Sequence, residues 1–458
     1  NPLIHRYHIK DYSAYKKEGM DYHVPRVTLS TDDRVLSVNL NVDEQELAKI
    51  GKEGIYDPQL QQRRGPLALS THYLKAIKEY YQKEGRNPTD IELESIAQTW
   101  SEHCKHTIFA SEIDDIKEGI FRHYIKGATD KVRQNLENDF CISVFKDNSG
   151  AIDFNENYMI TDKAETHNSP SALDPFGGAI TGIVGVNRDT IGFGMGALPI
   201  ANKYGFCVGR PEDTQTIYKG KDNPALLPGK ILDGVVEGVQ EGGNCSGIPT
   251  PHGFVHFDDS YRGKPLIFVG TLGLLPKKLS NGKPAHEKKA QPDDNIVVIG
   301  GRVGKDGIHG ATFSSEAMSG GRPATAVQIG DPITQKKLSD AVCKEARELY
   351  NSITDNGAGG LSCSVAEMAE ESGGFVINLE KVPLKYPGLQ PWEIWVSESQ
   401  ERMTLSVPDN TLNEFLDLMQ RRGVEATVIG KFNDSDRAVV KYNEENILDL
   451  DMQFLHHG

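Results

Sequence analysis

Three side chains suited to acid–base or phosphate chemistry alternate within KAETHNSPSALDPFGGA, residues 163–179. Lys163, Glu165 and His167 follow NENYMIT, an apolar-leaning run that predicts a β-strand. Alternate residues of a strand project from one face about 7 Å apart, so the three side chains would line one side together. The same pattern also fits a solvated strand face that carries a surface salt bridge.

The residues that follow this row favour a ligand site. The glycine-rich run GGAITGIVGVNRD predicts a helix on which Gly178, Gly182 and Gly185 share a closely packed face. Strand ends that lead into such helices are usual ligand positions in open sheets. The helix would end at Arg188 and Asp189. A guanidinium suits a phosphate or carboxylate, and a carboxylate suits a hard cation such as Mg²⁺.

A second chemical cluster is SEHCKH, residues 101–106, at the end of PTDIELESIAQTWSEHCKH. We predict one helix for this run, opened by a capping box of Thr89 and Glu92. His103 borders the apolar stripe of the helix, which favours a catalytic or substrate-facing histidine over a buried structural one. A zinc site with Cys104 and His106 is the least favoured alternative, because structural zinc needs four ligands and no second cluster stands out.

Two further motifs are better explained as turns. GGRVGKDG, residues 300–307, resembles a phosphate loop but has Asp306 where the Walker pattern needs Ser or Thr. GNCSG has the shape of a nucleophile elbow around Cys245. A cysteine nucleophile needs a histidine base held by a third group, and no matching histidine motif follows. We therefore interpret Cys245 as part of a tight turn after a helix.

Later segments add carboxylates and amides in irregular, glycine-rich settings. Asp355 precedes a Gly-Ala-Gly-Gly turn, Gln328 lies in VQIGDP, and Glu398, Ser399 and Gln400 lie between apolar runs. Each segment alone is a turn, but together they predict one site built from many segments. Its acids are hard ligands that favour Mg²⁺ with phosphate over zinc. These acids are Glu165, Asp189 and Asp355.

Composition limits the class of protein. The 458 residues predict two or three domains, and alternating strands and helices predict an α/β and α+β fold. The net charge of −15 argues against nucleic-acid binding, and no apolar run is long enough to span a membrane. Six scattered cysteines and the lack of a signal peptide predict a cytoplasmic protein with reduced thiols. Because the sequence begins with Asn1, we expect a piece of a longer protein.

Several long motifs together resemble the phosphoribosylformylglycinamidine synthase family, also called formylglycinamide ribonucleotide amidotransferases. They are GRNPTDIELESIAQTWSEHCKHTIF, KAETHNSPSALDPFGGAITGIVGVNRD, DGIHGATFSS, TDNGAGGLS and PWEIWVSESQERM. The resemblance covers residues 66–458 in collinear order. It implies the ATP-binding superfamily fold of aminoimidazole ribonucleotide synthetase, in which a sheet domain able to form a sheet-to-sheet dimer precedes an α/β domain. The chain would be the first of two such copies.

The resemblance also implies domains and a reaction. We expect an N-terminal linker and helical region at 1–139, the sheet domain at 140–275 and the α/β domain at 276–458. In the family, ATP phosphorylates the amide oxygen of formylglycinamide ribonucleotide, and ammonia released from glutamine then displaces the phosphate. The reaction forms an amidine in purine biosynthesis. Mg²⁺ would neutralise the phosphates.

Site residues carry over position by position from the family's motifs. His103 would be an active-site histidine, His167 the proton acceptor and Lys163 a contact to ATP. The Mg²⁺ ligands would be Glu165, Asp189 and Asp355. The ribonucleotide contacts would be Thr166, His167, Asn168, Ser169, Arg188, Gln328, Glu398, Ser399 and Gln400. His106 stays unassigned, because HCKH resembles the large single-chain members.

The resemblance implies partners as well. A glutaminase domain or subunit would supply ammonia, and a second synthetase half or a second copy would complete the catalytic ATP site. Two alternatives remain open. The chain could be a non-catalytic scaffold that binds substrate or nucleotide, or it could catalyse another reaction of the superfamily, such as aminoimidazole ribonucleotide synthesis.

Overall fold

A computed structural model describes residues 10–19, 32–215, 217, 225–310, 327–328 and 330–458. The predicted strand RVTLS at 26–30 and residues 311–315 of DGIHGATFSS lie outside these ranges. The described helices are α1 (Tyr12–Glu18), α2 (Glu44–Glu53), α3 (Thr71–Glu84), α4 (Asp90–Thr99), α5 (Glu102–Lys105), α6 (Thr107–Ala110), α7 (Gly127–Gln134), α8 (Asn168–Leu173), α9 (Pro175–Gly192), α10 (Pro228–Ser246), α11 (Pro332–Lys344), α12 (Leu361–Ser372), α13 (Pro391–Val396), α14 (Asp409–Arg422) and α15 (Met452–His457).

The described strands form two larger sheets and one short hairpin. They are β1 (Tyr56–Asp57), β2 (Gln62–Arg63), β3 (Cys141–Ser143), β4 (Gly150–Asp153), β5 (Tyr158–Thr166), β6 (Leu198–Val208), β7 (His252–Phe257), β8 (Leu266–Pro276), β9 (Asn295–Gly300), β10 (Ser352–Asp355), β11 (Gly374–Asn378), β12 (Arg402–Val407), β13 (Ala426–Asn433), β14 (Arg437–Tyr442) and β15 (Glu445–Asp451). This architecture confirms the predicted α/β and α+β class.

The first sheet has the strand order β3-β4-β5-β8-β6-β7. Helices α9 and α10 pack on one face, where Ile183 and Val235 meet the inward side chains of β6 and β8. β5 and β8 are antiparallel, with Lys163 opposite Thr271 and Glu165 opposite Val269. Because Val269 belongs to the core under the helices, the row from Lys163 to His167 faces α9 rather than the open side of the sheet.

Glycines allow α9 to pack against its neighbours at backbone distance. A Cβ on Gly178 would lie 2.4 Å from the Ser171 nitrogen of α8, and a Cβ on Gly238 of α10 would lie 2.6 Å from the Phe176 oxygen. Packing at this distance offsets the helix-propensity cost of glycine, about 1 kcal/mol at each position. The helix continues to Gly192, so its predicted end at Asp189 was wrong by one turn.

The second sheet has the order β10-β12-β9-β13-β11-β14-β15. Its central strand β9 alternates between two cores: Ile296 and Val298 face α12, whereas Val297 and Ile299 face α11 and α14. Burial on both faces explains why this strand is apolar throughout. The sequence predicts a helix at about 338–352, but the helix in the structure spans Pro332–Lys344, and Asp331 caps its start.

Helices α2, α3 and α4 share a hydrophobic core with this second sheet. α4 begins at the predicted Thr89–Glu92 capping box and is buried along its length. The predicted single helix to His106 was wrong, because α4 ends at Thr99 and Ser101 caps the separate α5 by accepting from the Cys104 nitrogen. The Trp100 indole anchors the break by donating to the Leu455 carbonyl at 2.8 Å.

The basic, polar composition of PKKLSNGKPAHEKKA, residues 276–290, predicts a linker, but in the structure this segment is firmly packed. Lys288 pairs with Asp147 at 2.6 Å and donates to the Ile353 carbonyl at 2.9 Å, and Ala285 and Ala290 are fully buried. The segment therefore joins the two sheet regions through fixed contacts. Within the described ranges, no helix combines the length and the apolar character that crossing a membrane requires.

Candidate active site

A cavity of about 510 Å³ brings most of the predicted site residues together. Its walls come from α5, the end of β5, α9, the turn after β10 and the segment before β12. The predicted residues that line it are His103, Lys163, Glu165, Thr166, His167, Arg188, Asp189, Gln328, Asp355, Glu398 and Gln400. The row that begins on β5 thus faces this cavity rather than the open side of the first sheet.

Lys163 carries the positive charge on the side of the cavity that β5 forms. Its Nζ lies 3.2 Å from Glu165 Oε2 and 3.5 Å from Asp189 Oδ2. Burial acts to lower the pKa of Lys163, but attraction to Asp189 and Glu165 outweighs it and raises that pKa. Both sequence interpretations were partly right: the row does contain a salt bridge, and that salt bridge faces the cavity.

Asp189 and Asp355 form the acidic side of the cavity. Burial and repulsion from Asp355 raise the pKa of Asp189 well above its usual range, although Lys163 acts in the opposite direction. Asn148 donates to Asp355 Oδ1 at 3.0 Å. A divalent cation would relieve this repulsion, and carboxylate oxygens suit a hard cation.

The carboxylates alone do not enclose a metal. Among the described residues, no three His, Cys, Asp or Glu side chains come close enough together to hold an ion. Neither a zinc site at His103, Cys104 and His106 nor an all-protein Mg²⁺ cage is present there. The donor set still fits Mg²⁺, because this ion is commonly bound by one or two carboxylates together with substrate phosphates.

His167 lies at the junction of β5, α8 and α9. Its backbone nitrogen donates to the Ile267 carbonyl at 2.8 Å, and Gly182 leaves room for it, since a Cβ there would lie 3.2 Å from His167 Cβ. Its Nδ1 is buried without a hydrogen-bond partner among the described residues. Burial lowers the pKa of His167 to about 4, so the ring is neutral near pH 7 and can accept a proton.

His103 reaches the same cavity from the short helix α5. Its ring is accessible through the cavity but lies deep among other side chains, and this partial loss of water lowers its pKa. Attraction to Glu165 acts in the opposite direction. His103 therefore faces the cavity rather than the core, in line with the catalytic or substrate-facing interpretation.

Arg188 is already engaged by protein groups. It donates to Gln400 Oε1 and, at 3.3 Å, to Gln335 Oε1, and its Nη1 lies 3.9 Å from Glu401 Oε1. Burial raises the pKa of Glu401 to about 7, although Arg188 acts to lower it. Sequence reasoning missed Glu401, because nothing in ESQER distinguishes a buried glutamate from an exposed one.

The segment from Glu398 to Gln400 is fixed by hydrogen bonds from several directions. Gln328 Nε2 donates to Glu398 Oε2 at 2.6 Å, and the Gly359 nitrogen donates to Glu398 Oε1 at 3.2 Å. Thr181 of α9 donates to the Gln328 carbonyl at 2.8 Å. These bonds hold the Gly-Ala-Gly-Gly turn, the VQIGDP segment and the segment from Glu398 to Gln400 together in one wall of the cavity.

Three predicted substrate residues do not line the cavity. Asn168 accepts from the Ile267 nitrogen at 2.7 Å, and Ser169 is buried in α8. Ser399 accepts from the Gly304 nitrogen at 2.9 Å and donates to Asp306. Asn168 and Ser399 thus position neighbouring backbone, whereas the Ser169 hydroxyl has no hydrogen-bond partner among the described residues. Conversely, Cys363 and Glu367 line the cavity, and no motif pointed to them.

The turn interpretation of GGRVGKDG fits the structure, whereas the interpretation of Cys245 as part of a turn after a helix was wrong, because the helix continues through Ser246. Cys245 lies in the last turn of α10, where its thiol donates to Glu241 Oε1 at 3.0 Å. Within GGRVGKDG, Gly300 and Gly307 have positive φ angles of 103° and 67°, as a glycine-rich turn requires.

Comparisons with known proteins agree with one another. Residues 59–106 match the formylglycinamide ribonucleotide amidotransferase linker domain, and residues 146–275 and 291–443 match the N- and C-terminal domains of AIR synthase related proteins. The chain is 35% identical to phosphoribosylformylglycinamidine synthase subunit PurL of Thermoplasma volcanium over 86% of this chain and 49% of that protein. It therefore spans about half the length of the curated relatives it matches.

Two solved structures of PurL from Thermotoga maritima share this fold. The structure complexed with FGAR has a TM-score of 0.67 and 29% identity, and covers 84% of this chain and 56% of that chain. The structure complexed with ATP has a TM-score of 0.63 and 27% identity, and covers 84% of this chain and 55% of that chain.

Proposed function

Because the chain belongs to the phosphoribosylformylglycinamidine synthase family, we propose that it carries the first half of an ATP-dependent synthetase. The reaction converts formylglycinamide ribonucleotide and ammonia into the corresponding amidine in purine biosynthesis. The observation that carries the proposal is the row Lys163, Glu165 and His167, which faces a cavity shared with His103, Asp189 and Asp355. A non-catalytic scaffold has no need of this set.

Proton transfer is assigned to the two histidines. Ammonia must lose a proton after it attacks the activated amide carbon, and a neutral, positioned imidazole can accept it. His167 is neutral near pH 7 because burial lowers its pKa. His103 faces the same cavity and would orient or polarise the substrate.

The acidic side of the cavity would hold Mg²⁺ together with nucleotide phosphates. Bound there, Mg²⁺ would neutralise phosphate charge. The residues that would hold it are Glu165, Asp189 and Asp355. Lys163, whose protonated form both carboxylates stabilise, would contact ATP.

The ribonucleotide contacts would come from the end of β5, from α9, and from the segments around Gln328 and Glu398. Those that line the cavity are Thr166, His167, Arg188, Gln328, Glu398 and Gln400. Arg188 would hold Gln400 in position, because its guanidinium is buried against that amide. Asn168 and Ser399 would act through the backbone they fix, and Ser169 would act from its buried position in α8.

We further propose that the open face of the first sheet binds a second synthetase half or a second copy. This face carries apolar side chains opposite the face that α9 and α10 cover, among them Phe254, which is 49% exposed. A glutaminase domain or subunit would supply ammonia.

The proposed domains remain 1–139, 140–275 and 276–458. We propose a cytoplasmic location, because free thiols suit the reducing cytoplasm.

The test is reconstitution. The chain is mixed with a separately expressed complementary half, ATP, Mg²⁺, ammonium and formylglycinamide ribonucleotide, and amidine and ADP are measured. Formation of both supports the proposal. ATP and substrate binding without amidine would favour the scaffold alternative.

Thermal unfolding distinguishes the proposed function from the second alternative, aminoimidazole ribonucleotide synthesis. A bound ligand raises the unfolding midpoint of the folded chain. The midpoint should rise more with formylglycinamide ribonucleotide, the substrate, than with formylglycinamidine ribonucleotide, the product. The opposite preference would favour aminoimidazole ribonucleotide synthesis, which consumes the amidine.

A further inference from the structure

We propose that Cys104 and Cys363 form a peroxide-sensitive disulfide in the wall of the candidate active site. Their Sγ atoms are 3.9 Å apart, although the two residues are 259 positions apart in sequence. Both line the 510 Å³ cavity and also an adjoining cavity of about 210 Å³. A small oxidant can therefore reach the pair from two sides.

The backbone around Cys104 and Cys363 is suited to formation of a sulfur–sulfur bond. A disulfide needs the sulfurs to approach to about 2 Å. Cys104 lies in the four-residue helix α5, which ends at His106 in the left-handed region with φ 50°. Cys363 lies in the first turn of α12, beside Gly359, where a Cβ would lie 2.5 Å from its Sγ. Glycine at position 359 leaves space for the Cys363 sulfur.

The two thiols are not equivalent. Hydrogen bonds with Cys363 and Ser101 lower the pKa of Cys104, although burial opposes them. The same contact with Cys104, together with burial, raises the pKa of Cys363. Cys104 thus has the greater thiolate character, and the thiolate is the form that attacks peroxide.

The chemistry balances with hydrogen peroxide as oxidant. The Cys104 thiolate attacks one peroxide oxygen, the O–O bond breaks, and hydroxide leaves a sulfenic acid on Cys104. The Cys363 sulfur then attacks the Cys104 sulfur, forming the S–S bond and expelling the sulfenic oxygen as water. In total, two thiols and one peroxide give one disulfide and two waters, and a dithiol reductant reverses the change.

The bond would tie the helix that carries His103 to the helix that follows Asp355. Closing the gap between the sulfurs pulls α5 toward α12 and shifts His103 relative to the cavity. A misplacement of about 1 Å at a reacting group can cost about 100-fold in rate. We therefore expect oxidation to lower synthetase activity about 100-fold and reduction to restore it. This consequence rests on the proposed function, whereas the disulfide itself does not.

The experiment treats the full chain with stoichiometric peroxide and maps its peptides without reduction. The expected result is a peptide pair joined through Cys104 and Cys363, which dithiothreitol separates. Cys363→Ser should instead leave a sulfenic acid on Cys104 that dimedone captures, and Cys104→Ser should give neither product. Cys245→Ser, a control on the distant α10, should form the same crosslinked pair as the unaltered chain.

Two outcomes would overturn parts of the inference separately. If the unaltered chain forms no crosslink while other thiols oxidise, the disulfide is refuted. If the crosslink forms and the reconstituted enzyme keeps full activity, the site stands but its control of His103 is refuted. Because peptide mapping needs no turnover, failure of the proposed function would not obscure the first result.

Discussion

At the scale of single residues, burial and neighbouring charges determine which side chains of the cavity are charged and which are neutral. Lys163 remains cationic because two carboxylates lie beside it, whereas His167 remains neutral because burial lowers its pKa. A cation for phosphate and a neutral base for proton removal thus lie four residues apart in sequence. Two predictions belong to this scale.

Replacement of His167 with alanine should lower amidine formation by about 10²- to 10⁴-fold, the usual contribution of a positioned general base. Substrate binding should change far less. The measurement is the rate in the reconstituted enzyme with ammonium as nitrogen donor. His72→Ala, at an exposed position on α3, is the matched control and should keep the parental rate. An unchanged rate in His167→Ala would argue for the scaffold alternative.

Glu401→Gln should remove a pH-dependent loss of stability. The pKa of Glu401 rises from 4.5 to about 7 in the folded chain, so the folded state binds the extra proton between these values. Its stabilising contribution is complete below about pH 4.5 and is lost as pH rises through 7. Glutamine does not titrate, so the variant does not lose this contribution as pH rises. The difference in free energy of unfolding, variant minus parent, should therefore rise by up to about 3 kcal/mol between pH 5 and 8.

Urea unfolding at several pH values checks this prediction. Glu237→Gln, at an exposed position on α10, serves as the control and should follow the parent at every pH. Parallel curves for Glu401→Gln and the parent would show that Glu401 does not bind the proton.

At the scale of elements, α9 positions the site through its glycines. It contacts α8, α10 and the end of β5 at distances that only glycine permits at some positions. The glycines are not equivalent, however. A Cβ on Gly178 would meet α8 backbone, whereas a Cβ on Gly185 would find its nearest atom, Arg188 Nη2, at 4.0 Å.

Gly178→Ala should therefore destabilise the chain by about 1 to 3 kcal/mol, because the added methyl group forces α8 away. Gly185→Ala on the same helix should be neutral or stabilising by up to about 1 kcal/mol, through higher helix propensity. The free energies of unfolding in urea test both variants. Equal effects at the two positions would contradict the close packing of α8 against α9.

At the scale of the whole molecule, the first sheet is covered on one face and open on the other. Its open face carries apolar side chains on four strands, with the Asp162–Lys203 ion pair among them. The apolar residues are Ile152, Ile160, Phe254, Phe268, Leu272 and Leu274. Exposed apolar surface of this kind commonly marks a protein interface.

Leu274→Glu should weaken association of the chain with itself or with the complementary half by at least about tenfold, because a carboxylate would be buried without a partner. Sedimentation velocity over a concentration series measures this. Val236→Glu, at a position 46% exposed on α10, should associate like the parent. A parent chain that stays monomeric and does not bind the other half would refute the interface.

Much of the fold could be predicted because its signals are local. The Thr89–Glu92 capping box, the Ser70 cap of α3 and the glycine ends of α3 and α10 lie where sequence chemistry predicts them. β6 was missed, because its polar Asn202 interrupts the apolar pattern. In the structure Asn202 is buried and donates to Asn187 Oδ1 at 2.7 Å, a partner that its neighbours in sequence do not reveal.

The sequence by itself determined the period-two row on β5, the glycine face of α9 and the motif order that identifies the family. Strand alternation is a property of the backbone, so Lys163, Glu165 and His167 had to share a face. Only the tertiary structure decided which face that was, and that α9 and the second sheet close over it. It also gave Arg188 its partner Gln400 and brought Cys104 to Cys363, because contacts between distant segments depend on how the two sheets pack.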